Sequence, residues 1–237
     1  MAAGSEVDIL AFGAHPDDVE LSCGGTLLKL AKKGLQTGII DLTMAELSTE
    51  GNPQRRRKEA EAAARILKIS ERQNLKIPDG GIENKEAYRL LVIDAIRKYR
   101  PGLVFAPYPY DRHPDHGNAS QLVSDSCFYA GLEKIKTGHE AYRPVTVIYY
   151  YQHWVEQPVF IVDISEDFET KMKAVQAYKS QFVHDAKGKS TFINRSEFLQ
   201  SVKNRAEYFG YQINAQYGEP FFIRLPMKIN NIMDLFT

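Results

Sequence analysis

Two short stretches of this sequence bring histidine and aspartate close enough to share a cation: Ala14-His15-Pro16-Asp17-Asp18 near the start, and Asp111-Arg112-His113-Pro114-Asp115-His116 far along the chain. Two imidazoles and one carboxylate form a ligand set that leaves a position on zinc open to water, which is the mark of a catalytic centre. A structural zinc takes four protein ligands, usually thiolates, and the two cysteines, Cys23 and Cys127, form no Cys-x-x-Cys pair. The same triad also suits the Fe(II) of non-haem oxygenases. A plainer use exists for each stretch, since Asp17 and Asp18 can cap a following helix and Asp115 can cap one beginning near His116. Either stretch alone fits the cap; two together, each at a strand end, favour the metal.

The elements that must hold these loops follow from hydrophobic periodicity. Val7 to Gly13 reads as a buried strand, Thr26 to Lys33 as helix, and Gly38 to Leu42 as a second strand. Asn52-Pro53 is a helix start of cap and first-turn proline, and Ala60, Ala63, Ala64 and Leu67 continue it with helical spacing. Asn74 to Ile77 is expected as strand three, a helix follows through Val92, Ile96 and Tyr99, and Leu103 to Ala106 is strand four. Val145 to Tyr151 and Val159 to Ile164 read as later strands open to pairing with each other. Further helices are marked by Phe168, Met172 and Val175, then by Phe198, Val202 and Phe209; the last thirty residues resist assignment. Alternating strand and helix predicts an α/β, Rossmann-like fold, a mostly parallel sheet with helices on both faces, in a single domain over residues 1–237. Such an architecture argues against an oxygenase barrel. Ligands of open α/β sheets bind beyond the carboxyl ends of the strands, and strands one, two and four run there into 14–18, Glu46 to Gly51 and Asp111 to His116.

Composition narrows the partners. Thirty basic residues balance thirty acidic ones, which removes the long-range attraction expected of a nucleic-acid or anionic-membrane binder. No segment approaches the roughly 18 apolar residues of a spanning helix, and Met1 to Glu6 shows no signal-like pattern. With so few cysteines the expected address is a reducing cytoplasm. Gly24-Gly25 and Gly80-Gly81 lack the G-x-G-x-x-G arrangement, and no Walker lysine pattern is present. A non-catalytic sugar- or nucleotide-binding protein therefore lacks its phosphate signature.

At Ala14-His15-Pro16-Asp17-Asp18 and His113-Pro114-Asp115-His116 the sequence resembles the LmbE/PIG-L family of zinc-dependent N-deacetylases. Asp18-Val19-Glu20 and Phe105-Ala106-Pro107-Tyr108 resemble its bacillithiol-pathway branch, which deacetylates N-acetylglucosaminyl malate. The resemblance covers almost the whole chain. It implies one Zn2+ per chain, with Fe2+ as a substitute, held by His15, Asp18 and His116, and Asp17 as general base. His113, if protonated, would support the oxyanion or protonate the leaving amine, with Asp115 orienting it; whether Asp17 or His113 delivers that proton is left open. The family places an arginine in the run Arg55-Arg56-Arg57, where a cation early in a helix opposes the helix dipole, and Arg56 is the candidate for substrate contact. Arg112 is a second candidate, its planar fork suited to a malate carboxylate. Another N-acetylglucosamine glycoside, such as a chitobiose-like sugar, is the alternative small-molecule substrate. Relatives form trimers or hexamers, which implies a homo-oligomer and offers Tyr149 to Tyr151 as an interface strand.

The remaining candidates have ordinary readings. His139, His153 and His184 are read as surface or hydrogen-bonded residues, and Cys23 as a small buried thiol. Trp154, Tyr149, Tyr150 and Tyr151 are read as core or interface aromatics, with sugar stacking as the alternative. Ser180 and Gln181 lie in a family-like segment and receive no role.

Overall fold

The computed structural model describes residues 6–182, 191–231 and 233. Its centre is β1 (Ile9–Gly13), a fully buried strand whose alternate residues feed two cores. Ile9 and Ala11 pack with Val19, Cys23 and Leu27 of α1 (Asp18–Lys32). Leu10 and Phe12 pack with α3 (Glu86–Tyr99) and α4 (Pro114–Ala130), through Val92, Ile96, Leu122 and Val123. Burial on both faces is why the strand reads as an unbroken apolar run. β2 (Thr37–Asp41), β3 (Glu71–Asn74), β4 (Leu103–Pro107) and β5 (Thr146–Tyr150) run parallel to it. β6 (Phe160–Asp163) and β7 (Gly218–Ile223) complete the seven-stranded sheet, in the order β3-β2-β1-β4-β5-β7-β6. Helices α2 (Pro53–Ile66), α5 (Phe168–Gln176), α6 (Lys179–Phe182) and α7 (Ser196–Gln212) fill out the chain. Leu21 and Leu28 of α1 meet Ala60, Ala63, Val175 and Val202 in a further core. The expected α/β class and mostly parallel sheet are present.

Several expectations need correction. β5 and β6 do not pair with each other: β7 lies between them, antiparallel to both. The third strand lies three residues earlier than expected, because β3 is a half-buried edge strand written in polar residues. Its Arg72 reaches inward to Asp41 and Glu20, at 2.8 and 2.6 Å. Leu75 and Ile77, the apolar signal, belong to the loop beyond it. Trp154 is 58% exposed, not core, whereas Tyr149, Tyr150 and Tyr151 are buried within the chain and offer no interface strand.

α1 begins eight residues before the predicted Thr26, and its two halves meet at Cys23, which leaves helical geometry with φ −126°. The break frees backbone donors, and Glu219 of β7 takes them: its carboxylate accepts from Gly25 N at 2.9 Å, Thr26 N at 2.7 Å and Thr26 Oγ1 at 2.5 Å. Lys171 of α5 stands 2.7 Å from the same carboxylate, both side chains buried. A Cβ at Gly25 would meet Ile164 at 2.9 Å, so the close approach requires glycine. This clamp holds the start of the second half of α1, while Lys171 Nζ also reaches Ser22 O at the end of the first half at 3.5 Å.

Candidate active site

Loops from the carboxyl ends of the parallel strands converge where the strand order reverses, between β1 and β4, as expected for ligand sites of open sheets. They line a cleft of about 460 Å³ that holds His15, Asp17, Asp18, Arg56, His113 and His116. His15 N donates to Asp18 Oδ2 at 2.8 Å, closing the first loop. Within it Asp17 takes φ 122°, a conformation that costs a non-glycine residue about 1–3 kcal/mol and concentrates at functional sites. The turn sends neighbouring carboxylates to different partners: Asp18 toward the imidazoles, Asp17 toward Arg56 at 3.3 Å.

Asp18 lies 3.4 Å from His15 Nδ1 and 3.3 Å from His116 Nε2. Gln152 Nε2 donates to it at 2.8 Å. The outer nitrogens of both rings are committed elsewhere: His15 Nε2 is 3.0 Å from Asp79 Oδ1, and His116 Nδ1 is 3.0 Å from Asp111 Oδ1. A ring that donates its outer N–H to a carboxylate presents the lone pair of its inner nitrogen. His15, Asp18 and His116 are thereby a donor set that can hold a cation. Two other groupings, His15 with His113 and Asp115, and Asp111 with His116 and His153, are close enough to do so. Their carboxylates and His113 Nδ1 have hydrogen-bond partners of their own. Asp111 accepts from both rings and from His153 N; Asp115 accepts from Gly80 N, and His113 Nδ1 accepts from Asp115 N.

His113 caps α4 itself, followed by Pro114, so Asp115 is not the cap. Nor does the Asp115 carboxylate hold His113: its partners are Gly80 N at 2.9 Å and His15 Nε2 at 3.4 Å, and its backbone N–H meets the His113 ring at 3.2 Å. An accepting Nδ1 leaves Nε2 as the protonated nitrogen of a neutral imidazole. Burial, then the charges of His15 and His116, hold His113 below the usual imidazole range. The ring is placed to donate a hydrogen bond through Nε2.

Burial pushes Asp17 up to about 7, with Arg56 opposing and Asp18 adding to the rise. For Asp18, burial is outweighed by His116 and His15, which hold it well below the usual carboxylate range. Arg56 follows the Asn52 cap and Pro53 of α2. Its neighbours Arg55 and Arg57 pair with Glu59 and Glu61, while Arg56 is buried over the Tyr178 ring at 5.7 Å. Its Nη1 is the atom that faces Asp17 at 3.3 Å, and its buried Nε carries no hydrogen bond among the described residues. Arg112 is exposed, stacked on Phe192 at 4.4 Å, and lines both the cleft and an adjoining chamber of about 310 Å³. Arg205, His153 and Trp154 line the chamber too, and none of its described lining residues is acidic.

Residues 10–127, which carry both motifs, match the family description PIG-L: GlcNAc-PI de-N-acetylase. A diacetylchitobiose deacetylase from Thermococcus kodakarensis is 32% identical over 192 residues, 75% of this chain and 71% of that protein. The chain belongs to the LmbE/PIG-L family. A probable N-acetyl-α-D-glucosaminyl L-malate deacetylase 2 from Bacillus anthracis is 27% identical over 96% of this chain and 99% of that protein. The solved structure of a conserved protein from Thermus thermophilus superposes with a TM-score of 0.86 at 38% identity, covering 94% of this chain and 97% of that one. As an LmbE/PIG-L member the protein is an N-deacetylating hydrolase.

Three residues of this LmbE/PIG-L site lie outside what the sequence reading singled out. Asp79 follows the misplaced third strand; placing that strand at Glu71–Asn74 puts Asp79 in a loop at the site end of the sheet. Asp111 opens the polar run of the second motif, and Gln152 carries no motif signal. His153 and His139 are hydrogen-bonded residues, as expected, on Asp111 and Asp94. His184 lies outside the described residues. Ser180 donates to Glu59 and Gln181 to Glu50 O, both at the cleft wall.

Proposed function

We propose that this LmbE/PIG-L hydrolase uses one zinc ion, held by His15, Asp18 and His116, to remove the acetyl group of N-acetylglucosaminyl malate. The observation that carries the reading is the inward-facing donor set of His15 Nδ1, Asp18 and His116 Nε2, in one cleft with the separate carboxylate of Asp17. Two imidazoles and a carboxylate fit zinc with a position left for water, and Fe(II) fits the same donors. When bound, the metal lowers the pKa of water and polarises a carbonyl oxygen.

Asp17 takes the proton of the water that attacks the acetamide carbon. His113 donates its Nε2–H to the carbonyl oxygen as negative charge develops there. Asp17, which holds the proton taken from water, returns it to the departing amine. Arg56, in the cleft wall beside Asp17, contacts the sugar side, and Asp115 supports His15 and the Gly80 turn. The acid-free chamber lined by Arg112 and Arg205 supports an aglycone bearing carboxylates. A neutral chitobiose-like glycoside is the second reading, favoured by the Thermococcus relative. Both cysteines are buried and free, and no described helix is long and apolar enough to cross a membrane, which supports the cytoplasmic assignment.

The test is amine release from N-acetylglucosaminyl malate, before and after chelation and after zinc return. Release that stops with chelator and resumes with zinc upholds the proposal. Turnover of neutral glycosides alone removes the malate assignment, and inertness on every acetamide with zinc bound removes the catalytic one.

A further inference from the structure

Asp79 occupies a junction that none of the residues discussed so far explains. Its Oδ1 lies 3.0 Å from His15 Nε2, closer than Asp115 at 3.4 Å, while its Oδ2 accepts from Leu47 N at 3.0 Å. The Asp79 backbone N–H in turn donates to Glu46 Oε1 at 2.8 Å. Leu47, 70% exposed, belongs to the 45–50 segment that forms one rim of the cleft with Ser48, Thr49 and Glu50. That segment starts at Ala45, which holds a positive φ of 52°. Asp111 makes the comparable contact to His116, and its second oxygen goes to His153 N, in a different segment of the cleft lining. On the His15 side the carboxylate thus spans a ligand ring and the 45–50 rim of the cleft.

We infer that Asp79 is a positioning residue that joins the metal site to the cleft rim: one oxygen fixes which nitrogen of His15 faces the metal, the other holds the backbone at Leu47. A ring anchored in this way loses less freedom when it binds a cation, and removal of such an outer partner typically lowers metal affinity about 10–100-fold. The shared carboxylate makes the effect reciprocal, since what fixes His15 also fixes Asp79, and through it Leu47. The inference rests on the metal reading above.

The test uses the full chain and zinc alone. Zinc affinity is measured by chelator competition, and exchange of the Leu47 amide by hydrogen–deuterium exchange with and without zinc. In the wild type, zinc should slow exchange at Leu47. Asp79→Ala should weaken zinc binding about 10–100-fold and leave Leu47 exchanging fast regardless of zinc. Should that variant not fold, Asp79→Asn decides: its single carbonyl oxygen accepts from one side while its NH2 cannot accept from the other, so zinc affinity or Leu47 protection must drop. Folded variants in which neither quantity moves overturn the inference alone. A wild-type chain that binds no zinc overturns it together with the metal reading.

Discussion

The guanidinium of Arg56 stands 3.3 Å from the carboxylate of Asp17, with both side chains buried in the cleft wall. Burial raises Asp17 to about 7 and Arg56 pulls against that rise. A general base works only when ionised, so kcat/KM should fall as the pH drops through about 7. Arg56→Gln removes the opposing charge and raises the Asp17 pKa further, moving the acid limb of the pH–rate profile to higher pH. A limb that stays in place, or moves down, contradicts the pairing.

Asp17 turns away from the His15–Asp18–His116 set, so its loss should separate chemistry from metal binding. Asp17→Asn is expected to lower kcat by roughly 10²–10⁴ while zinc stoichiometry stays at wild type. Activity within tenfold of wild type would remove Asp17 from the role of base.

In the proposed mechanism His113 acts through one N–H. His113→Ala should lower kcat by roughly 10²–10³, the cost of one oxyanion donor, with KM little changed and neither limb of the pH profile displaced. A lost alkaline limb would instead mark His113 as the acid.

Arg205 lines the chamber and makes one hydrogen bond among the described residues, to Leu21 O at 3.1 Å. A hydrogen bond to a charged group contributes about 1.5–3 kcal/mol, or roughly ten- to hundredfold in kcat/KM. Arg205→Leu should lose that factor on a glycoside carrying a carboxylate aglycone and nothing on a neutral one. Equal losses on both substrates would place Arg205 in the scaffold.

The Lys171–Glu219 pair is buried at the α1 break. Lys171→Met leaves an uncompensated buried carboxylate and should cost about 3–5 kcal/mol of stability, read as a lower urea midpoint. A cost below about 1 kcal/mol, the usual value of an exposed pair, would mean that Glu219 is not held by Lys171.

The legible parts of this chain are those where residue type and burial agree. β1, β2 and β4 are apolar because they are covered on both faces, and the two motifs sit at their ends. Polar or interrupted elements are where the reading slips. β3 is polar because it is an edge, and the first half of α1 hides its helical pattern behind buried Asp18, Glu20 and Ser22 and the Gly24-Gly25 pair. β7 inserts between β5 and β6 through contacts to residues distant in sequence, which no local periodicity encodes. The same holds for Asp79 and Asp111: a carboxylate that orients a histidine ring is recognised only once the fold sets the two side by side.

The position of Glu219 bears on how the protein comes into being. The donors of α1 that it receives belong to Gly25 and Thr26, 194 and 193 residues earlier. A nascent chain leaving the ribosome N-terminus first can pair β1, β2 and β4 early, as sequential strands do. The break in α1 stays uncapped until the strand Gly218–Ile223 has emerged and taken its place between β5 and β6. Closing a loop of that length late in synthesis is slow, so the nascent protein carries both His/Asp motifs well before the helix that follows the first of them is complete.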